Sequence, residues 1–279
     1  LTFFDREASE WGEARPSRAL SLFKKYKPGI AMHVTKNKIA KFGQVFLYSL
    51  SYPGFAKRSL GQLYNSIAIA EGKIPSCPIN ELVLRSPDIE LRRFDPPVPG
   101  NATGFEISCL CALARNLQPA VILEIGTFNG NTTLQLAANT PPTTRIYTLD
   151  LPWDACAPNV EGVGDIAFIS SEKRKTLRFA GTEQESKIKR LYGNSLSVDF
   201  SNLIEGRKAD FIFVDAGHSY ECIKNDSEKS FSVLNRGGLI VWHDYGASWP
   251  SVYKYLNELS KTKKLSNIAG TELVVYMDA

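Results

Sequence analysis

Four side chains in the last third of the chain have the types and spacing for proton-transfer and cation chemistry: Asp215, His218, His243 and Asp244. Asp215 and His218 fall in FVDAGHSYECIKND, and His243-Asp244 in VWHDYG. An imidazole with a pKa near ~6.5 takes a hydroxyl proton at neutral pH, so His218 and His243 are the candidate general bases. Asp215 and Asp244 are spaced to end neighbouring strands, where two carboxylates can share a divalent cation. That makes Asp215 and Asp244 a candidate metal-holding pair. With His243 beside them the donors are mixed oxygen and nitrogen with only two carboxylates, which favours a softer divalent ion, or none, over Mg²⁺. His33 sits in a basic, remote stretch and is assigned no role.

A second group lies upstream, in AVILEIGTFNGNTTLQLAANTPPTTRIYTLD (residues 120–150). An apolar run leads to Glu124, then to a loop from Gly126 through Thr127, Phe128 and Asn129 to Gly130. A helical pattern follows and breaks at Pro141-Pro142, and a short strand ends on Asp150. Strand, glycine loop, helix, strand and acid is the layout of a nucleotide-binding β-α-β unit. A dinucleotide fingerprint requires G-x-G-x-x-G, whereas here the spacing is E-x-G-x-x-x-G. An acid before the first glycine repels a pyrophosphate and suits an ammonium or a sulfonium. The loop therefore favours S-adenosylmethionine (SAM) over NAD, with Asp150 placed for the ribose hydroxyls.

These residues need a scaffold that brings strand ends together. Apolar runs at 120–123, 146–149, 188–192, 211–214, 239–242, 265–269 and 273–277 predict seven strands. Helical stretches separate the first five, beginning with one that Thr103 and Glu106 open as a capping box, with Phe105, Cys109, Ala112, Leu113 and Leu117 as its inward stripe. A helix with Ile223, Ser230, Phe231 and Leu234 inward is expected to stop at Gly237-Gly238, and another to run over 251–259. Gly270-Thr271 predicts a tight antiparallel junction for the last pair. The reading is an α/β fold: a doubly wound, Rossmann-like, seven-stranded, mostly parallel sheet with an antiparallel C-terminal strand and a helical N-terminal extension. Residues 1–100 form a mainly helical accessory region, with helices near 42–47 and 60–70 and a proline-rich connector. Residues 101–279 form the catalytic domain. In such sheets ligands sit outside the carboxyl ends of the strands, where Glu124, Asp150, Asp215, His218, His243 and Asp244 all fall.

With those segments in view, residues 100–279 resemble the class I SAM-dependent methyltransferases. EIGTFNG looks like their first motif and TLD their second, and GGLIVWHDYG and IAGTELVVYM look like their late strands. The closest likeness is to small bacterial O-methyltransferases, with a more distant one to catechol-type enzymes. The resemblance implies that Glu124 and the backbone of Gly126–Gly130 receive the methionine portion. It implies that Asp150 binds the ribose and that Leu151 lies against the adenine with Asn194 and Ser195 flanking it; in the absence of a metal, Asp215 contacts the cofactor or active-site water. In catechol-type enzymes the metal ligands follow the fourth and fifth strands, the places of Asp215 and His243-Asp244. His243 stands where that family has an acid, and His218 where it has a lysine base.

Bulk properties narrow the classes. Of the net charge of +4, residues 1–60 contribute +7 (11 Lys+Arg against 4 Asp+Glu), and the rest sums to −3. The basic charges are dispersed with no nucleic-acid motif around them, so a solvated helical face is expected and no nucleic-acid partner. No apolar run approaches the ~20 residues of a membrane span. The first residues are charged, unlike a signal peptide, and the absent initiator Met suggests a trimmed chain. Five cysteines (Cys77, Cys109, Cys111, Cys156 and Cys222) without a C-x-x-C pair predict reduced thiols in a cytoplasmic protein. Apolar residues in the first 70 fit a homodimer interface. Trp153, Phe168 and Phe179 make the stretch after Asp150 a candidate lid.

The expected function is in-line methyl transfer from SAM to a small hydroxylated metabolite (a sugar, polysaccharide precursor or natural product), with a histidine base and an optional divalent metal. Two rivals use the same residues: a metal-dependent, hydroxylase-like enzyme on this sheet, and a non-catalytic SAM-binding scaffold.

Overall fold

A single mixed sheet of eight strands carries the site, in the order β1-β7-β8-β6-β5-β2-β3-β4. The computed structural model describes residues 72–84, 87–93, 98–152 and 176–278, together with Ile69. The helices expected near 42–47 and 60–70, apart from Ile69, lie outside the described residues, as do His33, Trp153, Cys156 and Phe168.

The strands are β1 (Ser76–Cys77), β2 (Val121–Ile125), β3 (Arg145–Asp150), β4 (Ile188–Tyr192), β5 (Ala209–Val214), β6 (Leu234–Trp242), β7 (Leu265–Ile268) and β8 (Val274–Met277). The helices are α1 (Gly104–Leu117), α2 (Asn131–Ala138), α3 (Phe200–Leu203), α4 (Tyr220–Val233) and α5 (Pro250–Leu259). Seven strands were expected. The eighth is the two-residue β1, which pairs parallel to β7 and is too short to leave a periodic signal. β8 runs antiparallel to both β6 and β7, closing an otherwise parallel sheet.

β2 is the central strand, and its sequence VILEI is buried at every position. Alternate side chains face opposite layers. Leu123 and Ile125 join Leu149, Val214, Trp242, Ile223 and Leu256 on the α4/α5 face. Ile122 joins Ile146, Phe211, Phe213, Leu110 and Leu136 on the α1/α2 face. Helices on both faces explain why the strands read as continuous apolar runs. Each fully buried Leu, Ile or Phe side chain in these layers stabilises the fold by roughly 1.5–3 kcal/mol.

Two sequence expectations shift. α4 ends at Val233, and Leu234 already pairs with Ala209 as the first residue of β6. Gly237 and Gly238 therefore lie inside β6, with Gly237 at φ +73°, where the register to β5 is irregular. A Cβ on Gly238 would stand 2.8 Å from the Asp210 carbonyl oxygen, so glycine serves close strand approach here. Phe105 is 52% exposed rather than inward. It lies in the first turn of α1, ahead of the stretch where Ile107, Leu110, Leu113 and Ala114 meet the sheet.

Candidate active site

The carboxyl ends of β2, β3, β5 and β6 are tied at one level by backbone hydrogen bonds. Gly126 N donates to Leu149 O, Asp215 N to Ile125 O, and His243 N to Val214 O, at 2.9, 2.8 and 3.1 Å. Between β2 and β5 the winding reverses, since β3 and β4 build to one side and β6 to the other. This is the switch point at which doubly wound sheets bind ligands. The requirement for glycine is strict there. Gly126 has φ +105°, and a Cβ on it would stand 1.9 Å from Asp215 O. At the other end of the loop Gly130, φ +78°, caps α2 with Phe179 against it.

The loop between these glycines is held from inside. Asp150 accepts from the Phe128 backbone N–H at 2.9 Å and from the Leu151 N–H at 2.8 Å. Asn129 turns inward, its side chain accepting from Asn131 N and its carbonyl from Arg178 N. Thr127 Oγ1 lies 2.6 Å from Thr148 Oγ1. Thr148 and Thr133 in turn both donate to Glu124 Oε2. Glu124 is fully buried, and its Oε1 has no hydrogen-bond partner. Burial pushes its pKa up to about 8. The two threonine hydroxyls oppose that shift, and the nearby charges of Asp215 and Asp150 add to it. Glu124 thus lies beneath the loop and is neutral at pH 7.

The loop after β4 starts beside the end of β3, where Gly193 N donates to Asp150 O at 3.0 Å. Asn194 is exposed and accepts from Leu196 N, while the Ser195 carbonyl accepts from Asn225 Nδ2 at 3.0 Å and from Lys229 Nζ at 2.6 Å.

Beside the glycine loop four ionisable side chains converge. His218 Nε2 lies 2.6 Å from Asp244 Oδ2, and its ring stacks on Trp249 with centroids 3.8 Å apart. His243 Nδ1 lies 3.4 Å from Asp215 Oδ1 and 3.2 Å from Asp244 Oδ1. Its Nε2 faces Glu106 Oε2 at 3.3 Å, an ion-pair distance without hydrogen-bond alignment. Asp244 takes a left-handed backbone, φ +64°, which turns its carboxylate back between the two histidines. For both rings burial disfavours the cation and the carboxylates more than reverse it. Asp244 raises His218, and Asp244 with Asp215 raises His243 well above the ordinary value. For Asp244 burial acts upward, but His243 and His218 hold it below the usual carboxylate range.

The structure brings Asp215, His218, His243 and Asp244 together. Each of Asp215, His218 and Asp244 offers a ligand atom within 4.8 Å of the others. The expected metal set had His243 in the place of His218. His243 is enclosed by three carboxylates and strongly favoured as a cation, whereas His218 meets one, Asp244, through its Nε2.

Two residues went unassigned in the sequence reading. Glu106 was read only as a helix cap, although a helix running antiparallel into β2 must begin at the carboxyl edge of the sheet, and that signal was available. Trp249 carries no motif, and only the fold after β6 sets it under His218.

Residues 123–245 match a family model described as a methyltransferase domain. The matched span begins within β2 and ends just past β6, taking in the glycine loop, Asp150 and all four converging residues. Over that span the chain is similar to methyltransferase domains. No curated protein matches the sequence. Similar solved structures include a Staphylococcus aureus protein provisionally named a caffeoyl-CoA O-methyltransferase (18% identity, 66% of this chain and 86% of that one, TM-score 0.48). Another is the SAH-bound methyltransferase PaMTH1 of Podospora anserina (18% identity, 64% and 80%, TM-score 0.45). A third is a Bacillus cereus O-methyltransferase in complex with SAH (17% identity, 77% and 99%, TM-score 0.45). Among the described residues no helix is long and apolar enough to cross a membrane.

Proposed function

We propose that the protein is a SAM-dependent O-methyltransferase acting on a small hydroxylated metabolite, with His218 as the general base. The observation that carries this reading is the His218–Asp244 pair at 2.6 Å, set beside a glycine loop at the switch point of the sheet. The residues present fit the methyl donor. The Gly126–Gly130 loop, with φ +105° and +78° at its two glycines, lies at the switch point of the sheet, and Asp150 ends β3 beside it. SAM, when bound, supplies a methyl group on a sulfonium, activated for in-line displacement.

The chain's own contribution is to hold, orient and deprotonate. Asp244 accepts the Nε2–H of His218, which fixes the tautomer and leaves Nδ1 as the proton acceptor for the substrate hydroxyl. Trp249 supports the ring from one face and limits its rotation. His243 lies between Asp215 and Asp244 and offsets their repulsion. Methyl transfer from a sulfonium needs little covalent machinery, so positioning supplies most of the rate.

One observation favours a second reading. The donors of Asp215, His218 and Asp244 lie within 4.8 Å of one another and are of types that a divalent first-row ion accepts. A metal held there would polarise the substrate hydroxyl and would occupy the nitrogen that otherwise relays charge to Asp244. Chelation separates the two readings: an EDTA-treated preparation that still turns over supports the histidine–aspartate base.

The test of the proposal is calorimetric titration of the full chain with SAM and SAH, followed by SAH release across a panel of hydroxylated acceptors. Binding of neither nucleotide would sink the methyltransferase reading. Binding without turnover on any acceptor would leave the scaffold role standing instead.

A further inference from the structure

Glu106 is 4% exposed, and its two carboxylate oxygens are spent on three different elements. Oε2 accepts the Thr103 N–H at 2.8 Å, completing the capping box of α1. Oε1 accepts the Glu272 N–H at 2.9 Å from the turn before β8. Oε2 also faces His243 Nε2 at 3.3 Å. A capping-box glutamate normally reaches only its own helix end. Here it reaches a buried imidazole from the far side of the site. The Glu272 carbonyl then accepts the Tyr245 N–H at 2.9 Å, so one short turn fastens both Glu106 and the backbone just after His243-Asp244.

From this arrangement we infer that Glu106 is a positioning residue: from α1 it fixes the ring of His243, and through that ring the carboxylates of Asp215 and Asp244 on which His218 depends. The inference rests on reading this cluster as the methyl-transfer centre. It adds a role that neither the glycine loop nor the strand-end motifs contain. His243 has two ring nitrogens and one rotatable ring. With Nε2 at 3.3 Å from the Glu106 carboxylate, Nδ1 on the other side of the ring faces Asp215 and Asp244, at 3.4 and 3.2 Å. Without that contact the ring is held from the Asp215–Asp244 side alone, and its tilt between the two carboxylates is no longer fixed from α1. A misplacement of about 1 Å in such a constellation costs on the order of 100-fold in rate.

The two duties of Glu106 can be separated. Glutamine also closes a capping box, so Glu106→Gln keeps the helix end and removes the charge facing His243. Thr103→Ala removes the side-chain half of the cap and keeps that charge. Long-range ¹H–¹⁵N spectra of the full chain resolve the ring nitrogens of its 3 histidines, with His218→Asn and His33→Asn giving the assignment. In Thr103→Ala we expect a lowered melting temperature with the wild-type ring pattern of His243 and His218 retained. In Glu106→Gln we expect loss of the wild-type His243 pattern and a displaced His218 pattern, with SAH affinity near that of wild type. Unchanged His243 and His218 resonances in folded Glu106→Gln would overturn the inference, as would the same changes in Thr103→Ala. If Glu106→Gln does not fold, His243→Gln tests the relay from its other end: an unmoved His218 resonance there overturns it. Failure of the wild-type chain to bind SAH would instead count against the methyltransferase reading, while the imidazole spectra still decide the role of Glu106.

Discussion

His218 and Asp244 meet across the ends of β5 and β6, Nε2 to Oδ2 at 2.6 Å, although 26 residues separate them in sequence. If this pair is the base, its loss should affect turnover and spare binding. His218→Ala is expected to lower the rate of SAH release by about 10²–10⁴-fold, the usual contribution of a positioned base. Asp244→Asn should lower it less, since the imidazole remains but its tautomer is no longer fixed by a charge. SAH affinity measured by calorimetry should stay close to wild type in both. A His218→Ala protein with normal turnover would remove the base assignment.

Glu124 should impose a pH dependence on stability. The folded chain holds its proton up to about pH 8, whereas the unfolded chain releases it near the ordinary value of 4.5. Between those values unfolding releases a proton, so the contribution of Glu124 to stability falls as pH rises through that window. Glu124→Gln has no proton to lose. The difference in unfolding free energy, variant minus wild type, should therefore grow in favour of the variant from pH 5 to pH 8 in denaturant titrations. Parallel curves for the two proteins would contradict the neutral, buried state of Glu124.

Much of this was readable in the sequence, and for physical reasons. VILEI, short, β-branched and followed by glycine, reads as a buried strand that ends in a turn, so the loop from Glu124 to Gly130 and the acid ending β3 could be located in the sequence. Asp215 and Asp244 were placed on neighbouring strand ends because successive parallel strands usually adjoin. The partners within the site were not readable. Which histidine pairs with Asp244 depends on the left-handed backbone of Asp244 at φ +64° and on the loop that brings Trp249 beneath His218. Such loop dihedrals leave no periodic trace. The boundary at Val233–Leu234 was missed for a related reason: a glycine pair reads as a helix stop, yet here it serves an irregular register inside β6.

The two loop glycines should differ in their sensitivity. At Gly126 an added methyl meets the Asp215 carbonyl oxygen at 1.9 Å, backbone against backbone, in a conformation with φ +105° that L residues avoid. At Gly130 the nearest atoms are ring carbons of Phe179 at 2.8 Å, on a side chain that can shift. Gly126→Ala should therefore abolish SAH binding and lower the melting temperature steeply. Gly130→Ala should cost about 1–3 kcal/mol, the range for backbone strain at a non-glycine left-handed position. Equal losses in the two variants would show that the close approach of β2 and β5 at Asp215 is not the governing constraint.

Lys187 offers a control for stability without function. Its side chain is buried, and its ammonium donates to the carbonyls of Ala137, Thr140 (2.8 Å) and Pro141 (3.1 Å), where the chain leaves α2. A cation at a helix C-terminus satisfies carbonyls that have no partner within the helix and complements the helix dipole. Burial lowers the pKa of Lys187, and the three carbonyls satisfy the ammonium that burial has taken from water. Lys187→Met keeps the apolar stem and strands those carbonyls, so it should destabilise the chain by about 1–3 kcal/mol. The glycine loop lies at the other end of α2, and the tie between Gly126 and Leu149 does not involve Lys187. SAH affinity in Lys187→Met should accordingly match wild type at temperatures well below the transition. A variant that loses binding while keeping its melting temperature would mean that the C-terminal end of α2 communicates with the loop at its N-terminus, contrary to this assignment.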